Sequence, residues 1–128
     1  MRAGEELETI RRTLEAELVE WDDRGELALD SGRAYGDGEP VSVRVRRREH
    51  RYTIDDAGAA VAKAGKPRGW YAAAEQIVAA EWLNVNRAGI VFVHSVRGRE
   101  AMLPSLALRI ADASVAVYEA LLELEDER

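Results

Sequence analysis

The chain has 128 residues, of which 47% are apolar and 33% are charged, and it carries a net charge of −6 and no cysteine. These values predict one folded domain over residues 1–128 and argue against a disordered chain. The lack of cysteine excludes disulfide scaffolds, thiolate zinc sites and cysteine catalysis. The acidic N-terminus has no apolar run of the kind found in signal peptides, and no stretch has the apolar length of a membrane span. We therefore expect a cytoplasmic protein without a membrane partner.

The first predicted elements are a helix, a short strand and a loop. Residues 4–22 repeat apolar residues at helical spacing, with glutamates on the other face. Glu26 to Asp30 is a short strand candidate. The segment from Ser31 to Gly38 contains three glycines and is predicted to be a loop.

A β-hairpin follows. Val41, Val43 and Val45 alternate with polar residues, which is the pattern of a half-buried strand. A turn at residues 47–49 leads into a return strand that places Tyr52 and Ile54 on one face. The hairpin therefore has an apolar face and a basic face.

The rest of the chain predicts three helices and one more strand. A short helix over residues 57–64 follows Asp55 and Asp56, which are predicted to cap it. A second helix over residues 69–84 is expected to bury its apolar side chains, which are Trp70, Ala74, Ile77, Val78 and Trp82. After a turn, residues 90–94 form an apolar strand, central in the sheet. The last helix runs from about Pro104 to Leu124.

The predicted fold class is α+β, with the order α-β-β-β-α-α-β-α and one small, mostly antiparallel sheet packed by helices. The last helix carries a second apolar stripe made of Leu108, Val115 and Leu122, besides its main stripe. A helix that is apolar on two sides needs two partners. The second stripe therefore predicts self-association, as a homodimer.

Basic residues concentrate in one segment. Residues 41–70 carry 8 basic and 3 acidic side chains, which gives +5 within an acidic chain. The hairpin arginines are candidate nucleic-acid contacts, and Lys63, Lys66 and Arg68 would extend the patch. These arginines are Arg44, Arg46, Arg47, Arg48 and Arg51. The alternative is a surface hairpin whose charge is balanced by the acidic first helix. Only Tyr52 is a candidate aromatic platform for stacking a single strand.

Several short motifs resemble a small bacterial family classed as a domain of unknown function. They are the run from Arg51 to Gly58, Gly36-Asp37-Gly38 before a strand, the glycine turn from Asn84 to Val91, and the closing helix from Leu106 to Leu122. The resemblance covers about residues 5–124, and Ala57 is inserted between the aspartates and the glycine of the first motif. It implies an α+β fold and a bacterial or phage setting, with no established activity.

The element order also resembles the core of restriction-endonuclease-like enzymes, in which two carboxylates hold Mg²⁺. Asp37, Asp55 and Asp56 are the candidate catalytic residues. Arg51 stands where those enzymes have a lysine, so the motif is degenerate. His50 and His94 have no further ligands for a zinc site, and no cofactor is expected. The function that we expect is a non-enzymatic, self-associating binding module. Its alternatives are a nucleic-acid-binding module using the Arg44–Arg51 hairpin, or a degenerate endonuclease-like domain.

Overall fold

The computed structural model describes residues 25–126, so the predicted helix over residues 4–22 lies outside the described residues. The elements confirm the α+β class. The strands are β1 (Glu26–Ala34), β2 (Pro40–Arg47), β3 (Arg51–Asp55), β4 (Asn84–Val85) and β5 (Val91–Val96). The helices are α1 (Ala59–Ala64), α2 (Trp70–Ala80) and α3 (Leu103–Asp126), with a 3-10 turn at Glu100–Met102.

All five strands pair antiparallel in the order β1-β2-β3-β5-β4. The predicted hairpin is the β2–β3 pair, in which Val45 lies opposite Ile54. Strand β1 flanks it on one side and β5 on the other. The hairpin is therefore the middle of a sheet and not a free two-stranded ribbon.

The core lies between one face of the sheet and α3. The period-two pattern of β2 is confirmed, because Val41, Val43 and Val45 are all fully buried. They meet the main stripe of α3, where Ile110 and Val117 are also fully buried. The segment Glu100–Asp126 has the length and apolarity of a membrane-crossing helix, but 61% of its most apolar stretch is buried inside the fold. The apolar side of this helix therefore packs into the core of the domain.

Two regions differ from the prediction. Strand β1 continues to Ala34, where a loop was predicted, and within this extension the buried Ser31 hydroxyl donates to the Val41 carbonyl at 2.7 Å. Its pairing register shifts between Asp30 and Ala34, where Gly32 has a φ of +77°. The predicted turn after α2 contains the two-residue strand β4.

The end of α2 overturns the prediction that Trp82 points inward. The helix ends at Ala80, and Trp82 follows with a φ of +60° and a side chain that is 87% exposed. The Trp82 N–H donates to the Ala79 carbonyl and the Leu83 N–H to the Val78 carbonyl. These two bonds form the left-handed helix end usually made by glycine. The next residue, Leu83, is buried in the core instead of Trp82.

Candidate functional site

The face of the sheet opposite α3 is polar and basic. Strand pairing sets Arg44 opposite Asp55, Arg46 opposite Thr53, and Thr53 opposite His94. Side chains alternate between faces along each strand, so the residues of these pairs share one face. We call it the arginine face, and define it by Arg44, Arg46, Arg51, Thr53, Asp55, Phe92 and His94.

Two of the candidate arginines are held by an internal carboxylate. Asp55 is fully buried and accepts from Arg44 Nε at 3.0 Å and from an Arg46 terminal nitrogen at 3.0 Å. It also accepts the Ala57 backbone N–H at 2.8 Å. Arg44 and Arg46 are thus paired within the sheet itself. The alternative pairing of the hairpin arginines with the predicted first helix falls outside the described residues.

Asp56 points to the other side of the sheet and is 1% exposed. One carboxylate oxygen accepts the backbone N–H groups of Val91 at 3.0 Å and Gly58 at 2.8 Å, and the other accepts from the Ser114 hydroxyl at 2.7 Å. Burial raises the pKa of Asp56, while the bonds from Ser114 and the backbone oppose that rise. The side chain therefore ties β3 to β5 and α3.

The predicted N-cap role of these aspartates is wrong in its geometry. Helix α1 begins after Gly58, which is the N-cap residue and gives no side-chain cap hydrogen bond. Ala57 and Gly58 both have positive φ, +57° and +78°, and this turn separates the aspartates from the helix. The carboxylates bond to the N–H groups two residues ahead, as aspartates in turns do.

Asp37 lies in a third environment. Lys63 Nζ is 2.6 Å from its carboxylate and 2.8 Å from that of Glu39. The hydrogen bond from Lys63 lowers the pKa of Asp37, and the two carboxylates raise the pKa of Lys63. The structure therefore does not bring Asp37, Asp55 and Asp56 together. Within residues 25–126, no group of three histidine, aspartate or glutamate side chains is placed to hold a metal ion.

A concavity of about 250 Å³ opens on the arginine face. Arg48 and Arg51 at its rim are exposed, and no carboxylate is among its described lining residues. Arg46 Nε, which is buried there, has no hydrogen-bond partner among the described residues. We call this concavity the arginine pocket, and it is lined by Arg46, Arg48, Arg51, Thr53, Asn86, Ile90, Phe92 and His94.

The electrostatic effect of the pocket is visible on His94. Partial burial lowers the pKa of His94, and the nearby guanidinium groups of Arg51 and Arg46 lower it further. Its ring Nδ1 lies 3.0 Å from the Thr53 hydroxyl. Of these two causes, burial disfavours any charged group, whereas the guanidinium groups of Arg51 and Arg46 would attract a bound anion.

A larger concavity, of about 490 Å³, lies where β1 and β2 meet α1. Its two described cationic lining groups, Arg44 and Lys63, already bind the carboxylates of Asp55, Asp37 and Glu39. The smaller arginine pocket is therefore the stronger candidate for an anionic ligand.

One arginine that the sequence pattern did not single out, Arg97, lies at the hairpin turn, with its guanidinium 5.3 Å from the centroid of the Tyr52 ring. Arg97 follows β5, and its guanidinium donates to the Arg48 carbonyl at 2.9 Å. Arg99 is exposed two residues further along. Arg97 is visible in the sequence, but only the pairing of β5 with β3 brings it beside the hairpin turn. Arg47, the remaining hairpin candidate, is half-buried on β2.

The aromatic side chains also differ from prediction. Tyr52 is 2% exposed, and its hydroxyl donates to Glu100 at 3.2 Å, so it offers no stacking surface. Phe92 and His94 of β5 are the aromatic rings on the arginine face, with centroids 5.4 Å apart. The apolar pattern of residues 90–94 did not predict that Phe92 lies on the arginine face.

The predicted interface stripe is mostly used inside the chain. Leu108 is 7% exposed and belongs to the core, and Val115 packs against that core. Leu122 is 38% exposed. Of the three interface candidates, Leu122 is thus the one with an open surface.

Comparisons with protein-family models, with curated proteins and with solved structures found no match to this chain. The resemblance to the bacterial domain family stays a prediction.

Proposed function

We propose that the domain is a non-enzymatic module that binds nucleic acid through the arginine pocket. The observation that carries the proposal is the pocket's lining, which has three arginines and no described carboxylate. Arg97 lies beside the hairpin turn, where its guanidinium donates to the Arg48 carbonyl at 2.9 Å. Phosphate is the ligand group that such guanidinium clusters bind best, since each guanidinium offers a planar pair of N–H donors.

The arginines differ in whether they are ion-paired, and this difference also supports the arginine pocket as the binding surface. Arg44 and Arg46 hold Asp55, so they set the shape of the face. Arg48 and Arg51 are exposed, and neither forms an ion pair with any residue between 25 and 126. We infer that Arg48 and Arg51 supply the phosphate contacts. Location in the cytoplasm is part of this proposal, because nucleic acid is accessible there.

The test is fluorescence anisotropy with labelled DNA and RNA at several salt concentrations. Wild-type protein should bind, and its affinity should fall steeply as salt rises, because phosphate contacts release counterions. The double variant Arg48→Ala, Arg51→Ala should bind more weakly. The slope of log affinity against log salt should become shallower by about 1.4 to 1.8, the value for two lost phosphate contacts.

A matched control removes two positive charges elsewhere. Lys66 and Arg68 are exposed in the segment between α1 and α2, and neither lines the pocket. The double variant Lys66→Ala, Arg68→Ala should keep most of the affinity. Equal losses in the two double variants would mean that net charge, and not the pocket, governs binding. No binding by the wild type at low salt would overturn the proposal.

Self-association is a second proposal, and the specific observation behind it is the exposed Leu122 on an otherwise well-packed helix. Leu122 is not among the residues that line the arginine pocket, so this second proposal concerns a different surface.

A further inference from the structure

The position of the hairpin decides how nucleic acid can approach it. Groove binding by β-structure requires a ribbon narrow enough to enter the DNA major groove, which is about 12 Å wide. Here β2 and β3 are flanked by β1 and β5, and neighbouring strands lie about 4.8 Å apart. Because β2 and β3 lie in the middle of a five-stranded sheet, they cannot enter the groove as a narrow two-stranded ribbon would. The arginine face instead offers an open platform, which suits a strand lying across it.

The second observation is an aromatic surface within the pocket. Phe92 and His94 are two residues apart on β5 and therefore share a face, and both line the pocket. Their rings are tilted by 56° to each other, and the Thr53 hydroxyl fixes the imidazole through a 3.0 Å contact. Every nucleobase has a flat face that stacks on such rings, whatever its identity.

The third observation is a positioned amide. Asn86 lines the pocket, and its side-chain oxygen accepts the Ile90 backbone N–H at 3.0 Å. The amide nitrogen then has two N–H groups, and neither donates to an acceptor within residues 25–126. These donors suit the ring nitrogen and carbonyl acceptors on the edge of a base.

The size of the pocket limits what enters it. Its volume of about 250 Å³ is below the roughly 300–1,000 Å³ of sites that enclose drug-sized ligands. This space suits one base, with its phosphate at the rim where Arg48 and Arg51 are exposed. A paired base is stacked inside a duplex and its face is not available.

We propose that the ligand is single-stranded nucleic acid, with one unstacked base against Phe92 and His94 and the adjoining phosphates on Arg48 and Arg51. This inference rests on the proposed function and specifies the form of nucleic acid that the pocket takes. The aromatic rings supply the preference for single strands, and the arginines supply the affinity for phosphate.

The experiment compares four labelled probes of equal length at one salt concentration, which are oligo-dT, oligo-U, duplex DNA and duplex RNA. Wild-type protein should bind the single strands at least about fivefold more tightly than the duplexes, since stacking of even one base is worth that much. Phe92→Leu keeps an apolar side chain on this half-buried position but removes the flat ring. It should bring the ratio of single-strand to duplex affinity towards one.

Phe92→Tyr is the rescue variant, because it keeps the ring, and it should retain the wild-type ratio. Circular dichroism of each variant, matched to wild type, shows that a lost preference does not come from unfolding. The oligo-dT and oligo-U probes distinguish DNA from RNA as the source of the strand. Equal affinity for single strands and duplexes, unchanged in Phe92→Leu, would overturn this inference and leave the proposed function standing. Absence of binding to all four probes would overturn both.

Discussion

At the scale of single residues, two neighbouring aspartates have different partners on opposite sides of one sheet. Asp55 holds Arg44 and Arg46 on the arginine face, and Asp56 binds Ser114 and the start of β5 on the core side. The alternation of side chains along a strand requires this division. A sequence motif of two acids therefore marks a structural junction here. Both carboxylates are buried, but Asp55 is ion-paired and Asp56 has no ion-pair partner among the described residues.

The raised pKa of Asp56 predicts a pH-dependent stability. Folding raises this pKa above its ordinary value of 3.8, so the folded state binds the proton more tightly than the unfolded state. The stabilisation is fully present below pH 3.8 and is lost as pH rises through the folded pKa. The loss is about 1.4 kcal/mol for each pH unit that separates the folded pKa from the unfolded pKa. The variant Asp56→Asn has no such titration, and its amide still matches the bonds to Val91, Gly58 and Ser114.

Urea unfolding of wild type and Asp56→Asn between about pH 4 and pH 7 measures this effect. The wild type should lose stability relative to the variant as pH rises. A difference in unfolding free energy that stays constant over this range would contradict the prediction. Asp56→Ala serves as the comparison for lost hydrogen bonds, and it should be destabilised at every pH by roughly 2 kcal/mol or more, because it leaves buried donors unpaired.

Trp82 gives a second prediction at this scale. It occupies the left-handed position after α2, with a φ of +60°, and its side chain is 87% exposed. A left-handed conformation costs a non-glycine residue about 1–2 kcal/mol, and little packing is lost on removing an exposed side chain. Trp82→Gly should therefore raise the unfolding free energy by about 1 kcal/mol, and Trp82→Ala should not. Thermal unfolding in which the alanine variant is the more stable of the two would contradict this.

At the scale of elements, the turn between β4 and β5 packs directly on α1. Gly89 has a φ of +91°, and a Cβ there would lie 2.8 Å from both Cβ and Cγ1 of Val61. Gly38 has almost the same φ, +90°, but apart from its chain neighbours no atom of residues 25–126 lies within 4 Å of the position that a Cβ would take. Alanine variants at these two positions therefore distinguish the cost of the backbone conformation from the cost of the steric contact.

Gly38→Ala should lower the unfolding free energy by about 1 kcal/mol, which is the cost of the backbone conformation alone. Gly89→Ala should lower it by about 1–3 kcal/mol more than that, because α1 and the turn must move apart. Chemical denaturation of both variants gives the difference. Equal losses of unfolding free energy in the two variants would contradict this prediction, because they would show that moving α1 away from the turn costs no free energy.

At the scale of the whole molecule, the sequence predicted the individual helices and strands better than it predicted which of them lie next to each other. The alternation of Val41, Val43 and Val45 identified the buried face of β2, since period two is a local property of the chain. It carried no information on which strand lies beside β3. That pairing joins residues about 40 positions apart, such as Thr53 and His94, and it depends on the packing of the helices between them.

The same limit explains the candidate site. Arg48 and Arg51 were predictable as a basic turn. Phe92 and Asn86 join them in the pocket, and Arg97 contacts the turn, only through the pairing of β5. The inward direction predicted for Trp82 followed from helical spacing and was wrong because the helix ends two residues before it. Local patterns thus predicted the charge of the site but not the aromatic and amide groups that would give it a preference among ligands.

Self-association is the last prediction at this scale. Leu122 is 38% exposed near the C-terminal end of α3, and at 1.5 Å per residue it lies about 28 Å along the helix from Leu103. Because α3 packs on the face of the sheet opposite the arginine pocket, an interface at Leu122 lies on a different side of the domain. Sedimentation velocity at micromolar concentrations should show a homodimer in the wild type and a monomer in Leu122→Glu.

The matched control for this variant is Met102→Glu. Met102 is 47% exposed at the opposite end of α3, so the same charge there should leave the dimer intact. Nucleic-acid affinity measured with a probe short enough for one pocket should be unchanged in Leu122→Glu, because its site is distant. A wild-type protein that sediments as a monomer at all micromolar concentrations would refute self-association, and it would leave the arginine pocket as the surface through which the domain acts.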